Sequence, residues 1–164
     1  MLSDHYDPRN KTLRLSPDVY NGRSVAASGV AAHEVGHALQ HAKGYWPLQV
    51  RSYLAPIAAF GSNLSMIVFI AGLALGAFGL AKIGVALFAV MVLFTVITLP
   101  VEFDASKRAK ELLVANNLGN REDIAGVSSV LNAAALTYLA AAVGAIMQLV
   151  YMLIRSGLLG NRND

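Results

Sequence analysis

Charged side chains are missing from three long stretches of the chain. No Asp, Glu, Lys or Arg occurs in 52–81, in 83–101 or in 124–154. About 20 apolar residues in a helix cross the ~30 Å hydrocarbon core of a bilayer, so each stretch is long enough to cross it once. We therefore predict three membrane-spanning helices. They lie at Ile57–Leu80, Ile83–Leu99 and Ala133–Ile154.

The alternative is a soluble domain in which these three helices are buried. A helix of a globular protein keeps a polar stripe, whereas the segment from Leu64 to Pro100 carries one charge, at Lys82. Apolar residues make up 55% of the chain against 14% charged, and both fractions favour a membrane protein. Because Lys82 is the only charge between the first two spans, we expect a tight hairpin, in which small residues at 72, 74, 76 and 77 let the backbones approach closely.

The polar N-terminal part of the chain predicts a short strand followed by a helix. The segment KTLRLS at 11–16 alternates polar and apolar residues, which suits an edge strand, and SDHYDPRN before it is rich in turn formers. Ser24 or Ser28 can cap a helix through VAASGVAAHEVGHALQHAK, and Gly44 closes it. The sequence thus predicts an all-α membrane protein with about three transmembrane helices, one helix at the membrane surface and a short N-terminal edge strand.

The surface helix contains HEVGH, a motif typical of zinc hydrolases. His33 and His37 are four residues apart, so their imidazoles share one helix face and can bind one Zn²⁺ ion. Glu34 points to a neighbouring stripe, where its carboxylate can take a proton from a zinc-bound water without ligating the ion. The chain has no cysteine, so only His and carboxylate side chains remain as ligands.

Three other polar residues, His41, Asp104 and Arg108, are not assigned to the metal site. His41 is eight residues beyond His33, a helical rise of about 12 Å, so both cannot bind one ion through bonds of about 2 Å. We place His41 at the surface or beside the ligands. Asp104 and Arg108 are expected to form an ordinary i,i+4 surface pair.

A zinc hydrolase needs a third protein ligand, and the predicted hairpin points to Glu102. If the chain crosses the membrane at the first span and returns at the second, Glu102 emerges on the side of the HEVGH helix. Pro100 suits the first turn of a new helix there. The alternative is an exposed glutamate favoured by the helix dipole. Small residues on the face of Glu102 permit close packing, and they are Ala105, Ser106 and Ala109.

Four segments, in order, resemble the YugP-type membrane zinc metallopeptidases, and the similarity runs through nearly the whole chain. They are LSDHYDPRNKTLRLSPDVYNGRSVAASGVAAHEVGHALQHAKGY, FGSNLS, TLPVEFDASKRA and VLNAAALTYLAAA. More distantly, HEVGH followed by a helical Glu-Phe-x-Ala resembles the HtpX and CAAX-prenyl-protease group of gluzincin-like membrane peptidases. The resemblance implies Zn²⁺ as cofactor, His33 and His37 as ligands, Glu34 as general base and Glu102 as third ligand.

Two features differ from the groups that the chain resembles. YugP-type proteins usually carry a further membrane helix and a soluble segment before the LSDHYDP stretch, where this chain starts. We therefore expect a fragment or shortened form of a longer protein. The HtpX group has an aspartate four residues after the ligand glutamate, where this chain has Ser106, so the hydrogen bonds that orient the ligands must differ.

By resemblance, the edge strand before the active-site helix pairs with an extended substrate. The segment TLRLS, with Leu13, Arg14 and Leu15, is predicted for that role, and a strand paired only within the fold is the alternative. The sequence does not identify the residue that stabilises the transition state. Tyr138 and Asn132 are two candidates, and their alternative role is hydrogen bonding within the helix bundle. The third candidate is His41.

We predict a zinc-dependent, membrane-bound endopeptidase that acts on peptides or membrane proteins, with Glu34 assisting the attack of zinc-bound water. One metallopeptidase domain spans 1–164. It comprises the strand and HEVGH helix at 1–56, a transmembrane hairpin at 57–99, a third-ligand helix at 100–122 and a third transmembrane helix at 131–155. An inactive membrane scaffold that retains the helix is the alternative. A site-2-type intramembrane protease is disfavoured, because the HEVGH helix is polar and is followed by charges.

Positive charges near the span ends indicate the orientation in the plasma membrane. Basic residues stay in the cytoplasm, so their excess on the side of the site predicts an active site that faces inward. These basic residues are scattered among acidic ones, so we interpret them as signals of membrane orientation and predict no nucleic-acid partner. On the side of the site they are Lys43, Arg51, Lys107, Arg108, Lys110 and Arg121, against Lys82, Arg155 and Arg162 on the other.

Overall fold

The computed structural model describes residues 4–159, and most of them are helical. The elements in chain order are β1 (His5–Asp7), β2 (Thr12–Arg14), α1 (Pro17–Tyr20), α2 (Val25–Ala42), α3 (Trp46–Ala74), α4 (Phe78–Ala115) and α5 (Arg121–Arg155). By length and composition, α3, α4 and α5 can each cross a membrane. The predicted all-α membrane architecture with a short N-terminal strand region is therefore confirmed. Arg162, counted in the charge balance, lies outside the described residues.

The chain forms two compact units. The first contains the described residues up to Gln49 together with Leu99–Thr137, and the second contains Val50–Thr98 together with the described residues from Tyr138. The chain therefore leaves the first unit after α2, makes the α3–α4 hairpin, and re-enters the first unit just before Glu102. The single domain predicted over 1–164 stays a prediction.

In the second unit, small residues bring the two arms of the hairpin together. A Cβ on Gly72 would meet the backbone nitrogen of Ala81, so the close approach predicted there is confirmed. The turn falls at 75–77, where Gly76 adopts φ +64°, and Lys82 lies inside α4. The expectation that Lys82 separates the two helices is wrong, because a glycine in the left-handed region ends α3 first. Large side chains fill the core of this unit, among them Phe69, Val85, Phe88, Val92 and Met152.

In the first unit, α2 packs against the C-terminal half of α4 and the N-terminal half of α5. Ser24 is the cap of α2, since its side chain accepts a hydrogen bond from the Ala27 N–H at 3.1 Å, and Gly44 follows the helix with φ +64°. The helices approach most closely at Gly36, where a Cβ would collide with the backbone of Ala105. The apolar core of this unit consists of Ala32, Ala109, Leu113, Val127 and Leu131.

Two predicted helix boundaries are wrong. No helix begins at Pro100, because α4 runs unbroken through it, and the loss of one backbone donor at a proline does not end a long apolar helix. The predicted helix 100–122 is therefore the end of α4. The helix predicted from 131 begins at Arg121 instead. Asn120 caps it, because its Oδ1 accepts from the Asp123 N–H at 2.9 Å while Asp123 Oδ2 accepts from the Asn120 N–H at 3.0 Å.

The N-terminal strand predicted within 11–16 is confirmed, but it has a partner that the sequence did not predict. β1 lies in the segment predicted as a turn and pairs antiparallel with β2, with Tyr6 opposite Leu13. Asp7 stabilises the intervening turn by accepting from the Arg9 N–H at 3.0 Å and from the Asn10 side chain at 2.8 Å. These bonds, the Arg9 contact first, hold the pKa of the Asp7 carboxyl below its usual range.

Adding a methyl group at Gly36 should separate α2 from α4. In Gly36→Ala the new Cβ meets backbone atoms of Ala105, which cannot rotate away as a side chain could, so the helices must move apart. Overpacking of this kind costs about 1–3 kcal/mol, and we expect a lower unfolding temperature and weaker zinc retention. Thermal unfolding in detergent micelles measures the first effect, and metal analysis measures the second.

The matched control is Gly144→Ala, where the added Cβ has no atom within 4 Å. Alanine favours a helix interior over glycine by up to about 1 kcal/mol, so this variant should unfold at or above the wild-type temperature. Equal unfolding temperatures for Gly36→Ala and Gly144→Ala would show that α2 and α4 do not need this contact.

Candidate metal centre

Three side chains of the first unit converge at the contact between α2 and α4. His33, His37 and Glu102 each offer one ligand atom, and these atoms all lie within 4.8 Å of one another. Glu102 Oε2 is 3.0 Å from His33 Nε2 and 3.7 Å from His37 Nε2. Bonds of about 2.0 Å in a tetrahedral zinc site place ligand atoms about 3.3 Å apart, so the two imidazoles and the carboxylate fit one Zn²⁺ ion.

The local sequence explains why these groups meet. The i,i+4 spacing puts His33 and His37 on one face of α2, and Gly36 on that face lets the α4 backbone approach. On α4, Ala105 and Ala109 are fully buried and as small as the contact requires. Glu102 therefore reaches both imidazoles while only 2% exposed.

Each imidazole has a second partner at Nδ1, so that Nε2 is directed at the convergence point. His33 Nδ1 lies 3.1 Å from the Ser106 hydroxyl, and His37 Nδ1 lies 3.0 Å from Gln40 Oε1. Ser106 is the residue that stands where the HtpX group has an aspartate, and here its hydroxyl contacts the His33 imidazole directly. Such outer contacts orient ligand rings and tune metal affinity.

Sequence reasoning missed Gln40. Its Nε2 donates to the Val101 carbonyl oxygen at 2.7 Å and to Asp104 Oδ2 at 2.8 Å. The only available signal was its position three residues after His37, on the same helix face. The predicted Asp104–Arg108 pair is present, with Nε and Oδ2 2.6 Å apart, but it is not merely a surface pair because Asp104 also binds Gln40.

Tyr45 lies at the outer end of this group of side chains. Its ring centroid is 5.8 Å from the Arg108 guanidinium carbon, and its hydroxyl approaches the Pro100 carbonyl oxygen at 3.5 Å. Burial raises the pKa of the Tyr45 hydroxyl, and the nearby Asp104 charge raises it further. Tyr45 therefore stays neutral through the physiological pH range.

Glu34 is held by β1 rather than by α4. Its Oε2 accepts a hydrogen bond from the backbone N–H of Tyr6 at 2.9 Å, and it is not one of the three converging residues. The Tyr6 hydroxyl lies 2.8 Å from His41 Nδ1, and the two rings meet edge to face. Burial, and then the Asp7 charge, raise the pKa of the Tyr6 hydroxyl. His41 is thus a partner of the strand and lies outside the three-residue cluster.

Of the predicted substrate-binding residues, the structure places Leu13 and Arg14 on the outer strand of the hairpin and Leu15 just beyond its end. Because the Tyr6 N–H is directed to Glu34, Tyr6 and Leu13 form a non-hydrogen-bonded pair, and the N–H and C=O of Leu13 point away from β1. That edge is exposed along β2, and Leu13 also lines an apolar cavity of about 560 Å³ beside α2. The strand nearer Glu34 is β1.

Two of the three candidates for the transition-state stabiliser lie on α5. Asn132 is exposed there, and Tyr138 belongs to the second unit.

Comparison with known proteins identifies the family of this chain. The family described as "Putative neutral zinc metallopeptidase" matches residues 1–157. The "Putative membrane protease YugP" of Bacillus subtilis (strain 168) is 46% identical over 149 residues, which cover 91% of this chain and 66% of that relative, slightly less than two thirds of its length. No solved structure matches the chain. The match along nearly its whole length shows that the chain belongs to the neutral zinc metallopeptidase family.

Proposed function

We propose that the protein is a zinc-dependent endopeptidase of the membrane, with Glu34 as its general base. One observation carries the proposal: the ligand atoms of His33, His37 and Glu102 lie within 4.8 Å of one another, beside a glutamate that is not among them. Three protein ligands with a fourth position open are the arrangement of catalytic zinc sites. The family and the YugP relative support peptide hydrolysis as the reaction.

His33, His37 and Glu102 would hold the zinc ion. When bound, zinc lowers the pKa of a water towards about 7 and polarises a carbonyl oxygen. The two Nδ1 contacts, from Ser106 and Gln40, keep both imidazole rings aimed at the site.

Glu34 would move the proton. Its Oε2 is held by the Tyr6 N–H, which leaves Oε1 to accept a proton from the attacking water. The water oxygen adds to the peptide carbonyl carbon as Glu34 takes that proton. When the C–N bond breaks, Glu34 passes the proton to the leaving amine, so the carboxylate is regenerated with no net change in charge.

The hairpin is the proposed substrate-binding element. The open edge of β2 at Leu13 and Arg14, with Leu15 just beyond it, can accept an extended peptide by main-chain hydrogen bonds, and the adjoining apolar cavity can take an apolar side chain. We propose peptides or membrane proteins as substrates. We also propose that 1–164 acts as one metallopeptidase domain in the plasma membrane, with its site on the cytoplasmic side.

Glu34→Gln should separate metal binding from catalysis. Glutamine keeps the acceptor for the Tyr6 N–H, so the fold and the zinc content should match wild type, but it cannot take a proton. We expect cleavage of fluorescein-labelled casein to fall about 10²- to 10⁴-fold. Zinc is measured by metal analysis of the same preparations. If the Glu34→Gln variant is as active as wild type, Glu34 does not have this role.

Glu102→Ala should release zinc. Losing one of three protein ligands weakens binding, so zinc should leave during dialysis against a chelator while wild type retains it. Glu111→Ala is the matched control, because Glu111 is exposed on the same helix and pairs only loosely with Lys107, at 3.8 Å. Asp104→Ala is compared in parallel. If Glu102→Ala keeps its zinc while either other variant loses it, the third ligand has been misassigned.

Asn116→Cys should report the side of the membrane on which the site lies. The native chain has no cysteine, so a single new thiol just beyond the end of α4 is the only target for labelling. Excess positive charge near the site predicts that an impermeant maleimide labels position 116 only after the cells are permeabilised. Leu158→Cys, beyond the end of α5, should be labelled in intact cells. The reverse pattern would place the site outside.

A further inference from the structure

Gln40 is a fully buried amide, with 0% of its surface exposed, at the contact of α2 with α4. A buried amide destabilises the fold unless its polar atoms are hydrogen-bonded. Here both of them are: Oε1 lies 3.0 Å from His37 Nδ1, and Nε2 has the two partners on α4 already described.

These partners determine which way the amide faces. The Val101 carbonyl oxygen and the Asp104 carboxylate accept hydrogen bonds, and Arg108 lies against the same carboxylate. Only an NH₂ group can satisfy two acceptors at once, so its two hydrogens point at α4 and the amide oxygen faces His37.

The orientation of Gln40 in turn determines the tautomer of His37. An amide oxygen cannot donate, so the hydrogen between Gln40 Oε1 and His37 Nδ1 belongs to His37. In a neutral imidazole the other nitrogen then has a free lone pair, and here that nitrogen is Nε2, which faces Glu102. His37 is thus prepared to bind a cation before any ion arrives.

His33 has no equivalent control at Nδ1. Its Nδ1 partner is the Ser106 hydroxyl, which can donate or accept by rotating about its C–O bond, and so is compatible with either tautomer. Of the two Nδ1 atoms, only that of His37 has a partner of fixed polarity, whereas the partner of fixed polarity beside His33 is Glu102, whose Oε2 lies 3.0 Å from Nε2.

We infer that Gln40 is a positioning residue that locks His37 in the Nδ1–H tautomer and thereby strengthens zinc binding. The lock extends from His37 through Gln40 to Asp104 and Arg108, so α4 controls the state of a ligand on α2. The zinc part rests on the proposed function, whereas the tautomer part is a property of the metal-free protein.

The test replaces the amide with a side chain of similar length and no strong hydrogen-bonding group. In metal-free Gln40→Met labelled with ¹⁵N-histidine, we expect His37 to show both tautomers at about pH 8.5, where free imidazole is neutral. Wild type should show only the Nδ1–H form. The His37 signals are assigned by their loss in His37→Asn. Zinc affinity of Gln40→Met, measured by chelator competition, should fall about 10- to 100-fold.

Two further variants are the controls. Gln49→Met makes the same change at an exposed position on α3 and should alter neither measurement. Gln40→Glu keeps an acceptor for the His37 N–H, and its protonated carboxyl can still donate one hydrogen bond towards Asp104, so it should retain the Nδ1–H form and provides the test should Gln40→Met fail to fold. A single Nδ1–H signal in folded Gln40→Met, or mixed tautomers in Gln40→Glu, overturns the inference.

The outcome for zinc is separate from the outcome for the tautomer. If wild-type protein binds no zinc, the proposed function fails, yet the metal-free spectra still decide whether Gln40 locks His37. If Gln40→Met loses zinc while His37 keeps one tautomer, Gln40 acts only through packing and the inference is wrong.

Discussion

Helices α2 and α4 meet backbone to backbone at Gly36 and Ala105, and no side chain fits between them. The polar contacts that the candidate metal centre makes between the two helices depend on that distance. Glu102 reaches both imidazoles, and Gln40 reaches Val101 and Asp104, only because α4 lies close against the face of α2 that carries them. A side chain at position 36 would move all these partners together, because they belong to the same pair of helices.

So close a contact would normally exclude polar groups, since burial removes them from water. Here the polar side chains satisfy one another, and the network ends at the charged pair of Asp104 and Arg108. The buried Glu102 carboxylate beside two imidazoles is an arrangement that a divalent cation stabilises, because its charge offsets the cost of burying the anion. Burial and metal binding therefore favour the same three residues.

The parts of this site that the sequence could predict are those that follow from local periodicity. HEVGH on a helix fixes the relation of His33 to His37, and the charge-free stretches fix the three long helices. The role of Gln40 was not predicted, because it depends on hydrogen-bond partners 61 and 64 residues away on α4. The Pro100 boundary was wrong because proline removes one donor from a helix, while the apolar residues before it and the packed residues after it favour continuing. The same limit explains the N-terminal hairpin: the turn does begin within SDHYDPRN, but β1 is defined by pairing with β2 and by its contact with α2, neither of which is local.

Helix α2 has different neighbours on its two polar sides. His33, His37 and Gln40 face α4, whereas Glu34 and His41 face β1 through Tyr6. One residue along a helix turns the side chain by about 100°, so Glu34 lies near His33 and His37 without being directed at Glu102. A general base has to meet that condition, because a carboxylate that ligated the ion could not also accept the proton. Since β1 holds Glu34 and α4 supplies Glu102, a shift of the strand can move the proposed base while the proposed ligands stay in place.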